Sequence, residues 1–341
     1  MGGLVINRLG GFLQRPNFFT PTWFLTIACL FFTLTLWSFS PQENPGFSHS
    51  DNVFSPNWDS LILKPGIWDW YAPEEESFPA LLVLGGSEGG NAYGRNWGPY
   101  LSKELEIGVL ALSYHGVEGL PENLESIPLE YFLQAWEWMK NQPGVDSSTM
   151  GIMGVSRGGE LALLLGSGFL ETSAVIAAVP SNLVWQGINF GNWLEQNSSW
   201  SYEGEDLTFQ PYDMSRGFGK ILNFYLAGAE NPESEEVIIP VEDINAPLLL
   251  FSGSRDLIWP SEIMSTNIIL RLEENEYDYP YYHYTFPEAR HYFHHLRDLS
   301  NDEERLKNNL SSLGGSLEGY REAHRISLEK TLQFLRDHLL R

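Results

Sequence analysis

A chain of 341 residues, 43% hydrophobic and 19% charged, carries enough apolar side chain to bury one large domain with an appendage, which excludes a disordered protein. Its formal net charge of −24 excludes a general nucleic-acid binder, because phosphate recognition needs clustered Lys and Arg. The one cysteine, Cys29, cannot close an internal disulfide, and inside an apolar run it is a poor nucleophile or metal ligand.

After a short N-terminal segment (1–20), residues 21–39 read PTWFLTIACLFFTLTLWSF, with no charged side chain. As a helix, a run of about 19 residues spans roughly 30 Å, the hydrocarbon thickness of a bilayer. Trp23 and Trp37 sit near its ends, where amphipathic rings favour the headgroup region. The run is expected to be a transmembrane helix and a membrane anchor. A cleaved signal peptide is the alternative, but its apolar core is usually shorter, and the best small-residue site, Ser38 and Ser40, is followed by Pro41. Arg8 and Arg15 precede the run and Glu43, Asp51 and Asp59 follow it. The positive-inside rule therefore predicts a single-pass protein with the remainder on the non-cytoplasmic side. Residues 40–62, rich in Pro, Asn and Ser, read as a linker to a domain at 63–341.

Within that domain short apolar runs alternate with helical spacing. Strands are predicted at Ala80–Gly85, Val109–Ser113, Met150–Val155, Ser173–Val179, Pro247–Gly253 and Tyr281–Phe286. Helices are predicted at Leu129–Asn141, Gly159–Leu170, Pro260–Leu272 and Tyr320–Leu340. The alternation implies an α/β fold with a mostly parallel sheet and helices on both faces. Ligands in such folds sit at the carboxyl ends of the strands. Residues 181–243, rich in Trp, Gly, Asn and Glu, interrupt the alternation and read as a lid-like insertion. Its Trp185, Trp193, Trp200, Phe209 and Tyr212 either line an apolar pocket or pack inside the lid.

Four stretches carry chemistry. Gly154-Val155-Ser156-Arg157-Gly158 matches G-x-S-x-G, between an apolar strand and a helix. A sharp strand-to-helix turn there exposes the serine hydroxyl, and the helix N-terminus supplies backbone N–H groups to a developing oxyanion. Gly85-Gly86-Ser87-Glu88-Gly89-Gly90 follows the first predicted strand. The expected oxyanion donors are the N–H of Arg157 and that of Gly86 or Ser87. Asp256 leaves the strand PLLLFSG, where a carboxylate can hold an imidazole in the right tautomer. His291 follows the last strand, where the general base belongs, with His283 as a structural competitor and His294 and His295 as candidate surface residues. The order Ser, Asp, His is that of an α/β-hydrolase. Glu74-Glu75-Glu76 and Glu273-Glu274 are expected on solvated surface. No H-E-x-x-H or comparable ligand spacing is present, so neither a metal nor a cofactor is expected.

From about Phe78 onward the chain resembles the C-terminal catalytic domain of acyl-CoA thioesterases and bile acid-CoA:amino acid N-acyltransferases, a family itself similar to dienelactone hydrolases. The resemblance lies in ALSYHGVEGLPENLESIPLEYFLQAWEWM, GIMGVSRGGELALL, IPVEDINAPLLLFSGSRDLIWPSE, YTFPEARHY and GGSLEGYREAH. It implies a nucleophile at Ser156, an acid at Asp256, a base at His291, and an acyl-enzyme resolved by water or, in the transferase branch, by an amine. That branch characteristically has Cys at the nucleophile position, so Ser156 points to hydrolysis. The family's animal members carry an all-β domain before the catalytic one; here the apolar run and linker take its place. The family usually has Gly before the histidine, where this chain has Arg290, a cation that reshapes the mouth or helps an anionic substrate. The resemblance implies an acyl-CoA thioester as substrate. A carboxylic or lipid ester, or acyl transfer, is the alternative on the same residues, and a non-catalytic membrane-tethered binding module is the alternative of another class.

Overall fold

The computed structural model describes residues 66–340 apart from 193–195, 218 and 297–312. The expected anchor, the linker and Trp193 lie outside the described residues. Among the described residues no helix is long and apolar enough to cross a membrane.

The elements are β1 (Trp68–Tyr71), β2 (Phe78–Leu84), α1 (Ala92–Glu104), β3 (Gly108–Leu112), β4 (Ile127–Pro128), α2 (Leu129–Lys140), β5 (Val145–Val155), α3 (Arg157–Gly166), β6 (Ala174–Ala178), β7 (Trp200–Tyr202), β8 (Glu205–Asp206), α4 (Leu222–Glu230), β9 (Leu248–Gly253), α5 (Ser261–Glu274), β10 (Tyr281–Phe286) and α6 (Leu317–His338). Seven strands form one sheet in the order β1-β3-β2-β5-β6-β9-β10. All pairings are parallel except that of β1 with β3. The central strands are continuous apolar runs because both faces are buried. Leu81 and Val83 join one core with Trp97 of α1 and Phe334 of α6, while Leu82 and Leu84 join the other with Phe132 of α2 and Leu163 of α3. The period-2 alternation of side chains along a strand thus fills two helix-covered layers.

Each strand expected from the sequence is present, β5 starting five residues earlier than expected and the others within two residues. The elements that were not legible are β1, α1 and β4 in the main domain and β7, β8 and α4 in the insertion. The edge strand β1 is short and half-buried throughout. Helix α1 contains Gly94, Gly98 and Pro99, which argue against a helix on propensity. Packing reverses that argument. A Cβ at Gly94 would meet Ala111 Cβ at 2.5 Å, and one at Gly98 the Tyr71 ring at 2.2 Å, so the glycines let α1 seat closely on β3 and β1.

The insertion at 181–243 contributes a small sheet of β7 and β8, joined by β4, together with α4. Trp185 and Trp200 are fully buried, and Trp185 packs against Tyr212 and Tyr225. These described aromatic residues therefore build the interior of the insertion.

His294 is corrected from surface to core. It lies between the rings of Trp97 and Phe251, and its two ring nitrogens meet Tyr93 Oη at 2.6 Å and Thr331 Oγ1 at 2.7 Å. It ties α1 and α6 to the sheet. Burial, with His295 and His324 nearby, pushes it down to about 3. Burial likewise pushes His115 down to about 4. An unfolded histidine takes up its proton near 6.5, so below that pH the unfolded chain binds protons that the folded one refuses. Stability is complete above pH 6.5 and falls as the pH drops towards these lower values. By pH 5 the loss is roughly 2 kcal/mol for each histidine. Urea unfolding at pH 7.5 and pH 5 checks this: the midpoint falls in the wild type and falls less in His294→Gln, whereas an unchanged wild-type midpoint refutes it.

Candidate active site

Strand β5 ends at Val155, and α3 begins at Arg157. The residue between them, Ser156, has φ +56° and ψ −121°, a strained conformation for a residue with a Cβ. Its flanking glycines make the turn sterically feasible. A Cβ at Gly154 would lie 1.9 Å from the carbonyl oxygen of Gly158, and one at Gly158 would lie 2.1 Å from that of Gly85. The first intrahelical bond runs from the Glu160 N–H to the Ser156 carbonyl at 2.9 Å. The N–H groups of Arg157, Gly158 and Gly159 therefore have no acceptor inside the helix, and the helix N-terminus beside Ser156 favours negative charge.

The three residues singled out from the sequence meet at the carboxyl ends of β5, β9 and β10. His291 Nε2 lies 2.9 Å from Ser156 Oγ, and His291 Nδ1 lies 2.7 Å from Asp256 Oδ2. The remaining carboxylate oxygen of Asp256 accepts the N–H groups of Ile258 and Trp259 at 2.9 and 3.2 Å. Those bonds fix the carboxylate's orientation, and Nδ1–H donating to Asp256 leaves Nε2 free to accept from the Ser156 hydroxyl. The Trp259 ring packs edge-on to the imidazole, held by its own indole N–H donating to the Val179 carbonyl at 3.0 Å. Ser156, Asp256 and His291 are 4%, 5% and 2% exposed, so bulk water screens their interactions little.

The glycine loop after β2 lies against Ser156. The position a Gly86 side chain would take is 3.1 Å from Ser156 Cβ. The Gly86 carbonyl accepts from Tyr114 Oη at 3.2 Å and lies 3.3 Å from His115 Nε2, contacts that hold the loop from the side of β3. Ser87 is the next residue of the loop and is half-buried.

The Arg157 side chain was not singled out from the sequence. Its guanidinium donates to Glu160 at 2.9 Å, to the Gln186 carbonyl at 2.8 Å and to Tyr212 Oη at 2.7 Å. Glu160 also accepts from Trp200 Nε1 at 2.8 Å and from the Trp185 N–H at 3.2 Å. The insertion is thus bolted onto the first turn of α3. Burial alone would push the guanidinium down, but Tyr212 and Glu160 more than offset it, and Arg157 stays charged.

Arg290 is 1% exposed, with its guanidinium 4.7 Å from the centre of the Tyr320 ring of α6. That corrects its expected place at the mouth: it pins the histidine loop to the terminal helix. His283 meets Ser252 Oγ at 2.8 Å across the β9–β10 pair. The two Glu clusters, 74–76 and 273–274, are exposed. Among the described residues, no group of three His, Cys, Asp or Glu side chains is arranged to hold a metal ion.

A parallel sheet with an antiparallel first strand, a strained serine between β5 and α3, and an Asp and a His at the ends of later strands define an α/β-hydrolase-like fold. Residues 127–341, more than half of the sequence, match the family described as BAAT / acyl-CoA thioester hydrolase C terminal, and the chain belongs to that family. It is 29% identical over 228 residues to human acyl-coenzyme A thioesterase 2, mitochondrial, covering 64% of this chain and 44% of the relative. It is 30% identical over 225 residues to mouse acyl-coenzyme A thioesterase 1, covering 64% of this chain and 50% of the relative. The chain thus spans about half the length of these curated relatives. Among solved structures, it is similar to a dienelactone hydrolase-like promiscuous phosphotriesterase from metagenomic libraries. That likeness has 14% identity and a TM-score of 0.45, covering 78% of this chain and 92% of that one.

Proposed function

We propose that this protein hydrolyses acyl thioesters of the acyl-CoA class through a covalent acyl-enzyme on Ser156. The observation that carries the reading is the unbroken hydrogen-bond chain Ser156–His291–Asp256. His291 accepts the Ser156 proton as Oγ attacks the acyl carbon, and Asp256 stabilises the imidazolium that forms. The N–H groups of Arg157 and Ser87 are the proposed oxyanion donors, since that of Gly86, the other candidate, serves the Glu88 carboxyl group. On collapse the bond to sulfur breaks and the thiol leaves. Water, activated by the same imidazole, then releases the acid. The substrate class comes from the relatives, both of which are acyl-coenzyme A thioesterases by name.

A carboxylic or lipid ester is the second reading. The net charge of −24 disfavours long-range capture of a polyanionic leaving group such as coenzyme A. The apolar run at 21–39 supports the same reading, since an anchor would hold the site beside lipid.

A fluorophosphonate probe is expected to label the wild-type protein, and matched acyl-CoA and ester series of varied chain length are expected to show turnover. Native protein that stays unlabelled and inert across both series refutes the assignment. A preference of tenfold or more in kcat/KM for one series decides between the two leaving groups.

A further inference from the structure

We propose that Glu88 is a further catalytic residue of the Ser156 site: a neutral carboxyl group that donates a hydrogen bond from Oε2 to the carbonyl oxygen of the bound acyl group. The proposal rests on the reading of Ser156 as nucleophile and adds a side-chain donor to its oxyanion site.

The first argument is placement. Glu88 stands in the glycine loop after β2, and its carboxyl group turns back into the space that Gly85 and Gly86 leave empty. A Cβ at Gly86 would be 2.7 Å from Glu88 Oε2 and 3.1 Å from Ser156 Cβ, so the carboxyl oxygen and the nucleophile border one small space. A Cβ at Gly85 would be 3.1 Å from Glu88 Oε1. An acyl carbonyl oxygen seated in this space while its carbon is under attack by Ser156 comes within reach of the Glu88 carboxyl group.

The second argument is an incomplete set of partners. Glu88 Oε2 is buried and has no hydrogen-bond partner among the described residues. A buried polar atom without a partner is costly, and such atoms in native structures call for an explanation. A carboxylate can only accept, whereas a neutral carboxyl group carries one O–H donor. A substrate carbonyl oxygen supplies the acceptor that the resting site lacks.

The third argument is charge. An ionised Glu88 would place a negative charge beside the developing oxyanion in a water-poor site and would oppose the reaction. A neutral Glu88 assists it. The titratable groups that face Glu88 are His291 and Tyr292 on the loop after β10, Tyr93 on α1 and Tyr114 after β3. Of these, only His291 gains a positive charge. Burial raises the Glu88 carboxyl above its ordinary value, against the opposing pull of its own N–H, that of Gly86, His291 and the Tyr292 hydroxyl.

The step balances without a further reactant. The Oγ–C bond forms, the carbonyl π pair moves onto oxygen, and the Ser156 proton passes to His291. Glu88 keeps its proton and shares it with the oxyanion. When the oxygen pair returns to re-form the carbonyl, the bond to the leaving group breaks, and that group takes the bonding pair and the proton held by His291.

The test uses the full chain as wild type, Glu88→Gln, Glu88→Leu and Ser156→Ala, assayed on 4-nitrophenyl butyrate and butyryl-CoA between pH 5 and pH 10, with thermal melts to confirm folding. The wild type is expected to lose activity towards alkaline pH, where Glu88 gives up its proton. Glu88→Gln, whose amide is a donor at every pH, is expected to stay within about tenfold of the wild type and to lose the alkaline fall. Glu88→Leu is expected to lose roughly 10²–10³-fold in kcat, the usual effect of deleting one oxyanion donor, with KM changed only a few-fold. The proposal is overturned if folded Glu88→Leu matches the wild type, if Glu88→Gln is as slow as Glu88→Leu, or if the alkaline fall persists in Glu88→Gln. Ser156→Ala separates the two failures: full activity in that variant sinks the nucleophile reading itself, whereas its inactivity leaves any failure with Glu88 alone.

Discussion

Ser156→Ala is expected to abolish fluorophosphonate labelling and to lower kcat on any acyl substrate by roughly 10⁴–10⁶-fold, while leaving the melting temperature within a few degrees of the wild type. The size follows from how the three side chains act as one unit. Without Oγ the imidazole has no proton to take, and Asp256 has no imidazolium to stabilise. The residual rate comes from substrate binding and the oxyanion donors, which the substitution leaves in place. KM is expected to stay within a few-fold, because the deleted atom contributes to bond formation more than to binding. Stability is expected to hold, because the strained turn loses only a buried hydroxyl whose partner is the His291 ring. Steady-state turnover together with labelling and melts checks all three. A variant that retains more than about a tenth of wild-type turnover contradicts nucleophilic catalysis by Ser156.

The residues that meet in this site were legible because each is announced locally. Small residues around Ser156, an apolar strand before it and a helix after it are properties of one short window. Asp256 and His291 follow strongly apolar runs in the same way. Glu88 was not legible in its role, although it is the one charged residue between Gly85 and Gly90. Nothing in the sequence tells whether a loop carboxylate turns inward, and that depends on the space left by two glycines and the approach of Tyr292 from 200 residues away. Arg157 was expected to act through its backbone alone. Its side chain is defined by Gln186, Tyr212 and, through Glu160, Trp200, partners that the fold rather than the sequence brings close. Helix α1 was hidden because its glycines serve packing against Ala111 and Tyr71, a tertiary gain that overrides their poor helix propensity. His294 was misjudged for a related reason: a polar residue near a chain of loops reads as surface until Tyr93 and Thr331 supply its hydrogen bonds.

Glu160→Ala is expected to destabilise the protein by roughly 3–5 kcal/mol, the usual cost of breaking one partner out of a buried ion pair. Glu160 is 0% exposed and Arg157 1%. The substitution leaves a buried guanidinium without its counter-charge, held by the neutral oxygens of Gln186 and Tyr212 and the rings of Tyr225 and Trp259. It also strips Trp200 Nε1 of its acceptor. For a domain of this size the loss corresponds to a fall in melting temperature on the order of 10 °C. Glu160→Gln, which keeps an acceptor for the indole but not the charge, is expected to fall between the wild type and Glu160→Ala. The double variant Arg157→Met, Glu160→Leu removes both charges and fills the space with apolar atoms, so it is expected to recover part of the stability. Thermal melts and urea titrations of the three variants check the order. If Glu160→Ala melts within 2 °C of the wild type, the ion pair does not fasten the insertion to the nucleophile helix. If the double variant is the least stable of all, the loss comes from packing rather than from a stranded charge. The order also bears on activity. A loosened insertion is expected to raise KM for long acyl chains before it lowers kcat, since α3 retains its hold on Ser156 through the β5 and β6 backbone, where the Ser156 N–H donates to the Ala178 carbonyl at 2.9 Å.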